Sequence, residues 1–263
     1  MRFAGFLVAA LLAVPAVTPL AAQDGVDHVA LGVAARDARD PRAALQHFQE
    51  ALRQDSMNYA ANWQGALALI DIGKETSDEA KSTARDSIYA MAEAYARRAV
   101  ASKPDDADGH FALANAIGRA SLTKGKKERV QRAAEIRTEA LKAIQLNPRH
   151  DGAYHILGRW NAEIMRLSGV QKFFAKNFLG GDVFNQASWD GAVSNMEKAV
   201  ELNPRRVYHR LDLAEIYVDL GRFSDARTQL QRVAALPVGD AGDERYKQES
   251  ADLLRAIEGK KDS

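Results

Sequence analysis

The sequence predicts an all-α protein, a right-handed α-solenoid of helical hairpins closed by a C-terminal capping helix. Three observations carry this. The stretches KAIQLNPR at 142–149 and KAVELNPR at 198–205 are nearly the same, and RAVASKPD at 98–105 is a third copy. Each reads as the end of an amphipathic helix stopped by proline, which lacks an amide hydrogen and clashes with the preceding turn. An alanine stands five residues before each proline, at Ala99, Ala143 and Ala199, so small side chains recur at one fixed helical position. Finally, 46% of the 263 residues are hydrophobic and 27% charged, with 7 prolines, which suits a helical core and rules out wholesale disorder.

The first element is an export signal. Arg2 forms a short positive region, Phe3 to Val14 is apolar, and Pro15 and Pro19 break the run before the small pair Ala21-Ala22. Cleavage after Ala22 is expected, and the apolar core stops well short of the ~20 residues that a membrane-spanning helix needs. The expected mature domain is 23–263, a single repeat domain in the periplasm with 35 basic and 35 acidic residues. The rival is retention of this segment as an anchor. Such balance gives no electrostatic invitation to nucleic acid or anionic lipid. The absence of cysteine excludes disulfides, thiol nucleophiles and cysteine zinc sites.

Self-similarity at ~34 residues or more, with small residues where two helices approach, marks the tetratricopeptide repeat. Five helix pairs follow in order, near 27–54, 58–103, 108–147, 152–203 and 207–236. The first joins Leu31-Gly32 to Ala44, Phe48 and Ala51, and the second, the least regular, joins Trp63 to Ala92–Ala99. Leu113, Ala114 and Ile117 face Ala140 and Ala143 in the third; Tyr154, Leu157 and Gly158 face Ala192, Met196 and Ala199 in the fourth. The fifth has Leu213-Ala214 and Tyr217, a turn at Gly221, then Ala226 and Leu230. A helix over 243–258, with Tyr246, Ala251, Leu254 and Ile257, is expected to cap the stack, because a repeat cannot bury its own apolar face.

The prolines at 104, 148, 204 and 237 lie 44, 56 and 33 residues apart, so the third and fourth units carry insertions between their helices. The third insertion, 121–131, is polar and basic and is expected to prolong the helices. The fourth, 168–190, holds Phe173, Phe174, Phe178, Phe184 and Trp189. Val170, Phe173, Phe174 and Phe178 fall on one face of a short helix that Gly180-Gly181 would end. This face either covers the repeat core or offers apolar contact to a partner, lipid or second subunit.

Leu157-Gly158-Arg159-Trp160, the aromatic segment after it, the WDGAVSNMEKAVELNP run and the closing Leu236-Pro237…Glu244…Ala251…Leu254 resemble the regulator of microtubule dynamics family. The resemblance covers roughly 108–255 and extends more loosely to Trp63. It implies a helical tetratricopeptide-like fold and no established catalytic residues. The family's eukaryotic members are linked to microtubules and mitochondria. Here an export-type N-terminus replaces their longer anchor, so microtubule binding is not carried across.

No enzyme signature appears, and neither a cofactor nor a metal is expected. The histidines at 28, 47, 110, 150, 155 and 209 form no H-E-x-x-H pair, and no P-loop, G-x-S-x-G or G-x-G-x-x-G occurs. What remains is a recognition surface, the concave face of the first helices of each unit. Its candidates are Phe111, Asn115 and Arg119, then His155, Arg159 and Glu163, then Tyr208, Leu211, Glu215 and Asp219. Arg159 is read equally as a ligand contact or as a structural partner of acids near the insertion. The expected function is a non-catalytic interaction scaffold of the cell envelope, binding a peptide or helix of a protein partner. The alternative is a carrier of a small apolar ligand or lipid using the 170–184 aromatics.

Overall fold

The computed structural model describes residues 26–76, 82–121, 126–169, 173 and 182–263. The expected export segment and its cleavage point lie outside these residues, as do Val170, Phe174 and Phe178 of the aromatic insertion. Among the described residues there are eleven α-helices and no strand, stacked as an all-α helical-repeat solenoid. The hairpins pair α1 (His28–Asp37) with α2 (Pro41–Gln54), and α3 (Tyr59–Gly73) with α4 (Thr83–Ser102). Next come α5 (Ala107–Ala120) with α6 (Lys126–Leu146), and α7 (Asp151–Arg166) with α8 (Trp189–Leu202). The last pair is α9 (Val207–Asp219) with α10 (Phe223–Ala235), and α11 (Asp243–Ala256) packs beside them.

Helix starts follow local chemistry. Asp27, Asp40, Asn58, Ser82, Asp106 and Ser188 each accept a hydrogen bond from a first-turn amide, satisfying a donor that the helix itself leaves open. His150 caps α7 in the same way through Nδ1. The end of α10 is satisfied from outside: the Lys247 ammonium on α11 donates to the carbonyls of Val233, Ala234 and Leu236. That contact places a positive charge on the negative end of the helix dipole and pins the capping helix to the last repeat.

One spacing runs through every second helix of a hairpin. The triplets are Ala44, Phe48 and Ala51; Ala92, Ala96 and Ala99; Ile136, Ala140 and Ala143; Ala192, Met196 and Ala199; Ala226, Leu230 and Val233. All but Ile136 are buried, and Ile136 packs partly buried against the second and third units. Opposite them stand small residues of the first helices: Gly32, Ala66, Ala114, Gly158 and Ala214. At Gly158 an added Cβ would lie 3.0 Å from the Met196 side chain and 3.2 Å from its backbone nitrogen, so the two backbones leave no room for a branch.

A second recurring device explains buried polar residues that the sequence leaves ambiguous. Six residues after the position that ends the preceding unit, a side chain donates back to its carbonyl. Asn62 reaches Ser56 (3.0 Å), His110 reaches Pro104 (2.8 Å) and Arg210 reaches Pro204 (3.0 Å). These groups are buried because they tie the inter-repeat turn, which satisfies carbonyls left open at a helix end.

Lys126 to Gln131 continue into α6, so part of the third insertion does prolong a helix. In the fifth unit the turn between α9 and α10 places Gly221 at φ +69°. Replacing it with alanine is expected to cost about 1 kcal/mol or more through left-handed backbone strain, read as a lower urea midpoint at unchanged slope.

Candidate interaction groove

The concave face is organised by two helices, α7 and α9, whose polar stripes meet at a constant sequence offset. Arg159 donates to Asp212 at 3.2 Å and Arg166 to Asp219 at 2.8 Å, each pair 53 residues apart. The same offset brings the His155 ring edge-on to Tyr208, with centroids 4.8 Å apart. Glu163 bridges the two arginines, 2.7 Å from Arg166 and 3.6 Å from Arg159.

Beneath this stripe runs a buried chain of contacts linking the two helices. Asp151 meets His209 Nε2 at 3.0 Å, His209 Nδ1 meets His155 Nδ1 at 3.0 Å, and His155 Nε2 meets Asp212 at 3.1 Å. Three contacts in series need three protons, and two neutral imidazoles bring two. One of the three contacts is therefore left without a hydrogen, the imidazole–imidazole contact if both rings donate to their carboxylates, and each carboxylate has an arginine near it, Arg206 at 3.9 Å from Asp151 and Arg159 beside Asp212. Burial holds both histidines below their ordinary range, His155 at about 4. Burial alone would raise Asp212, but Arg159 and His155 hold it well below the usual carboxylate range, and His209 does the same for Asp151. Glu215 goes the other way: burial, then the Asp212 charge, push it up to about 7, with Arg166 no closer than 3.9 Å.

Six of the sequence candidates come together on this face: His155, Arg159, Glu163, Tyr208, Glu215 and Asp219. Arg159, Glu163 and Glu215 keep 42%, 56% and 41% of their side chains open to solvent and are the reachable part. His155 is buried beneath them. Leu211 is a correction. It is buried in the core of the last two units, because it lies one residue, hence about 100°, away from the polar stripe. Phe111 also departs from the groove: its ring lies tilted against His150, with centroids 4.6 Å apart, and fills the space over Gly152, where an added Cβ would meet its ring at 2.5 Å. Asn115 and Arg119 are half-buried on α5. Of the aromatic candidates, Phe173 is 58% exposed and Phe184 half-buried, while Phe174 and Phe178 lie outside the described residues.

Asp151, Arg166, His209 and Asp212 were not among the sequence candidates. For Arg166 and Asp212 a signal existed: Tyr208, Asp212, Glu215 and Asp219 recur at helical spacing, matched by His155, Arg159 and Arg166 at one offset. Among the described residues no group of three or more histidines and acids is arranged to hold a metal ion. Nor is any described helix long and apolar enough to cross a membrane.

Hairpins stacked through columns of small residues, with a polar concave face, define a tetratricopeptide-repeat protein. A solved tetratricopeptide protein of Thermus thermophilus matches the fold with a TM-score of 0.63 at 19% identity, over 87% of this chain and 97% of that one. PilF of Pseudomonas aeruginosa matches with a TM-score of 0.51 at 15% identity, over 88% and 90%. Within this class, the family model for Regulator of microtubule dynamics protein 1-3 matches residues 30–258, and the chain belongs to that family. Regulator of microtubule dynamics protein 3 of Rattus norvegicus is 28% identical over 204 residues, covering 75% of this chain and 41% of that protein. Regulator of microtubule dynamics protein 1 of Mus musculus is 26% identical over 199 residues, covering 74% and 63%. The chain thus matches less than two thirds of the length of either relative.

Proposed function

We propose that the protein is a non-catalytic interaction scaffold, exported to the periplasm as the 23–263 domain, that holds a peptide or helix of a protein partner in its concave groove. The observation that carries this reading is the solvent-open row Arg159, Glu163 and Glu215, set on a buried network that fixes its geometry before any partner arrives. Preorganised charged groups discriminate partners by complementarity and lose little freedom on binding. Repeat proteins bind through such extended concave faces.

The test is crosslinking of the protein in its native envelope, with mass spectrometry of both proteins and lipids. A reproducible protein partner is expected, lost on Glu163→Ala/Glu215→Ala at unchanged helical circular dichroism. Co-purification of lipid alone favours a carrier built on the 170–184 aromatics, of which Phe173 is exposed. That result, or a partner indifferent to the groove substitutions, overturns the scaffold reading. Sequencing the mature N-terminus checks export; an intact Met1 in the soluble cytosol contradicts it.

A further inference from the structure

The two ends of the solenoid touch across the groove. Arg39, in the turn between α1 and α2, donates from Nη1 to the Val238 carbonyl at 3.0 Å, 199 residues away. Arg245 on α11 donates from Nη1 to the Lys74 carbonyl at the end of α3 at 2.5 Å, 171 residues away. Asp71, one turn before Lys74, also lies near enough to Tyr208 on α9 for its charge to act on the phenol. The first two hairpins and the capping end thus face each other over the groove.

Arg39 is placed at the expense of local backbone geometry. It is the one non-glycine residue with positive φ among those described, at +65°. In the last hairpin the equivalent turn has the same bonding: Asp40 N to Ala35 O and Arg222 N to Tyr217 O are 2.9 and 2.8 Å. There the left-handed position is filled by Gly221, at φ +69°, as the steric rule favours. The first hairpin forgoes glycine, and the side chain gained is the one that reaches across the groove.

Both bonds are solvent-exposed, and water competes for exposed donors and acceptors, so each holds weakly. We propose that Arg39 and Arg245 form a reversible clasp that closes the groove into a ring and must open to admit the groove's occupant. A clasp held closed by two weak bonds is opened by any occupant that favours the open form strongly enough. What is gated rests on the groove reading, but the gate itself can be measured with no occupant present.

The chain contains no cysteine, so cysteines placed at Asp37 and Ala241 can carry a unique pair of spin labels. Pulsed dipolar spectroscopy should give one short, narrow distance in the otherwise unaltered protein. Arg39→Ala/Arg245→Ala should lengthen and broaden it without loss of helical content. Arg39→Gly separates the clasp from the turn: it relieves the backbone, so Tm should hold or rise while the distance still lengthens. A parent distribution already long and broad overturns the proposal. So do arginine variants that leave the short distance unchanged, the Arg39→Gly result in particular then assigning that residue to its turn alone. Because neither arm depends on a partner, failure here leaves the scaffold reading standing, and a confirmed clasp would survive failure to find a partner.

Discussion

Replacing Trp160 with alanine is expected to lower the unfolding free energy by about 3–5 kcal/mol, the range for truncating a large buried aromatic. Trp160 is buried on α7, its indole Nε1 donates to the Ala133 carbonyl on α6 at 2.8 Å, and the Arg137 guanidinium lies 5.6 Å from its ring centre. It joins the third and fourth units, so its loss leaves a void at a junction that no other hairpin can fill. Trp160→Phe keeps most of the apolar contact and removes the indole donor, for an expected loss of about 1–3 kcal/mol. Urea unfolding of the two variants checks both values. If alanine costs less than about 1 kcal/mol, the junction does not carry the packing ascribed to it.

Acidification is expected to destabilise the protein between pH 6.5 and 4. Burial lowers His155 to about 4 and lowers His209 as well, whereas in the unfolded chain histidine sits near ~6.5. The unfolded chain takes up protons first, so the contribution is complete above pH ~6.5 and is lost as the pH falls toward 4. For His155 the shift corresponds to on the order of 3 kcal/mol. The groups facing the pair are Asp151 and Arg159 from α7, with Arg206, Tyr208 and Asp212 from the α9 side.

Glu215 opposes this trend. Raised to about 7, it contributes stability below its unfolded pKa that is lost as the pH rises, over an overlapping range. Its side chain is 41% exposed, so solvent screening leaves it the smaller term. Urea titrations from pH 7.5 to 4.5 should therefore show a net fall toward acid. Glu215→Gln should steepen that fall, and His155→Gln/His209→Gln should flatten or reverse it. A flat profile in both the parent and Glu215→Gln would sink the account of the buried pair.

The repeat columns were legible in the sequence because they recur. Ala99, Ala143 and Ala199 announce the same helix face three times, and Leu157-Gly158-Arg159-Trp160 marks both the close backbone approach and the family. The groove was legible only to within one residue. Leu211 and Asp212 are neighbours in sequence but about 100° apart on α9, so a one-position error exchanges a core side chain for Arg159's partner. The histidine chain was not legible at all. His155 and His209 are ordinary surface types by composition, and only the packing of α7 on α9 closes water away from them. Arg39 is similar: no local signal asks an arginine to adopt a left-handed conformation, and its reason lies 199 residues away.

An open stack of repeats comes apart from its ends, since a terminal hairpin leans on one neighbour where an internal hairpin leans on two. Joining Arg39 to Val238 and Arg245 to Lys74 gives each end of this chain a second neighbour. While the contacts hold, a line of units that would fray freely at both ends becomes a loop. Amide exchange should still run as a ladder from α1 and α11 inward, because the contacts are weak, but its outer rungs should be slowed, and breaking the two arginine contacts should speed them.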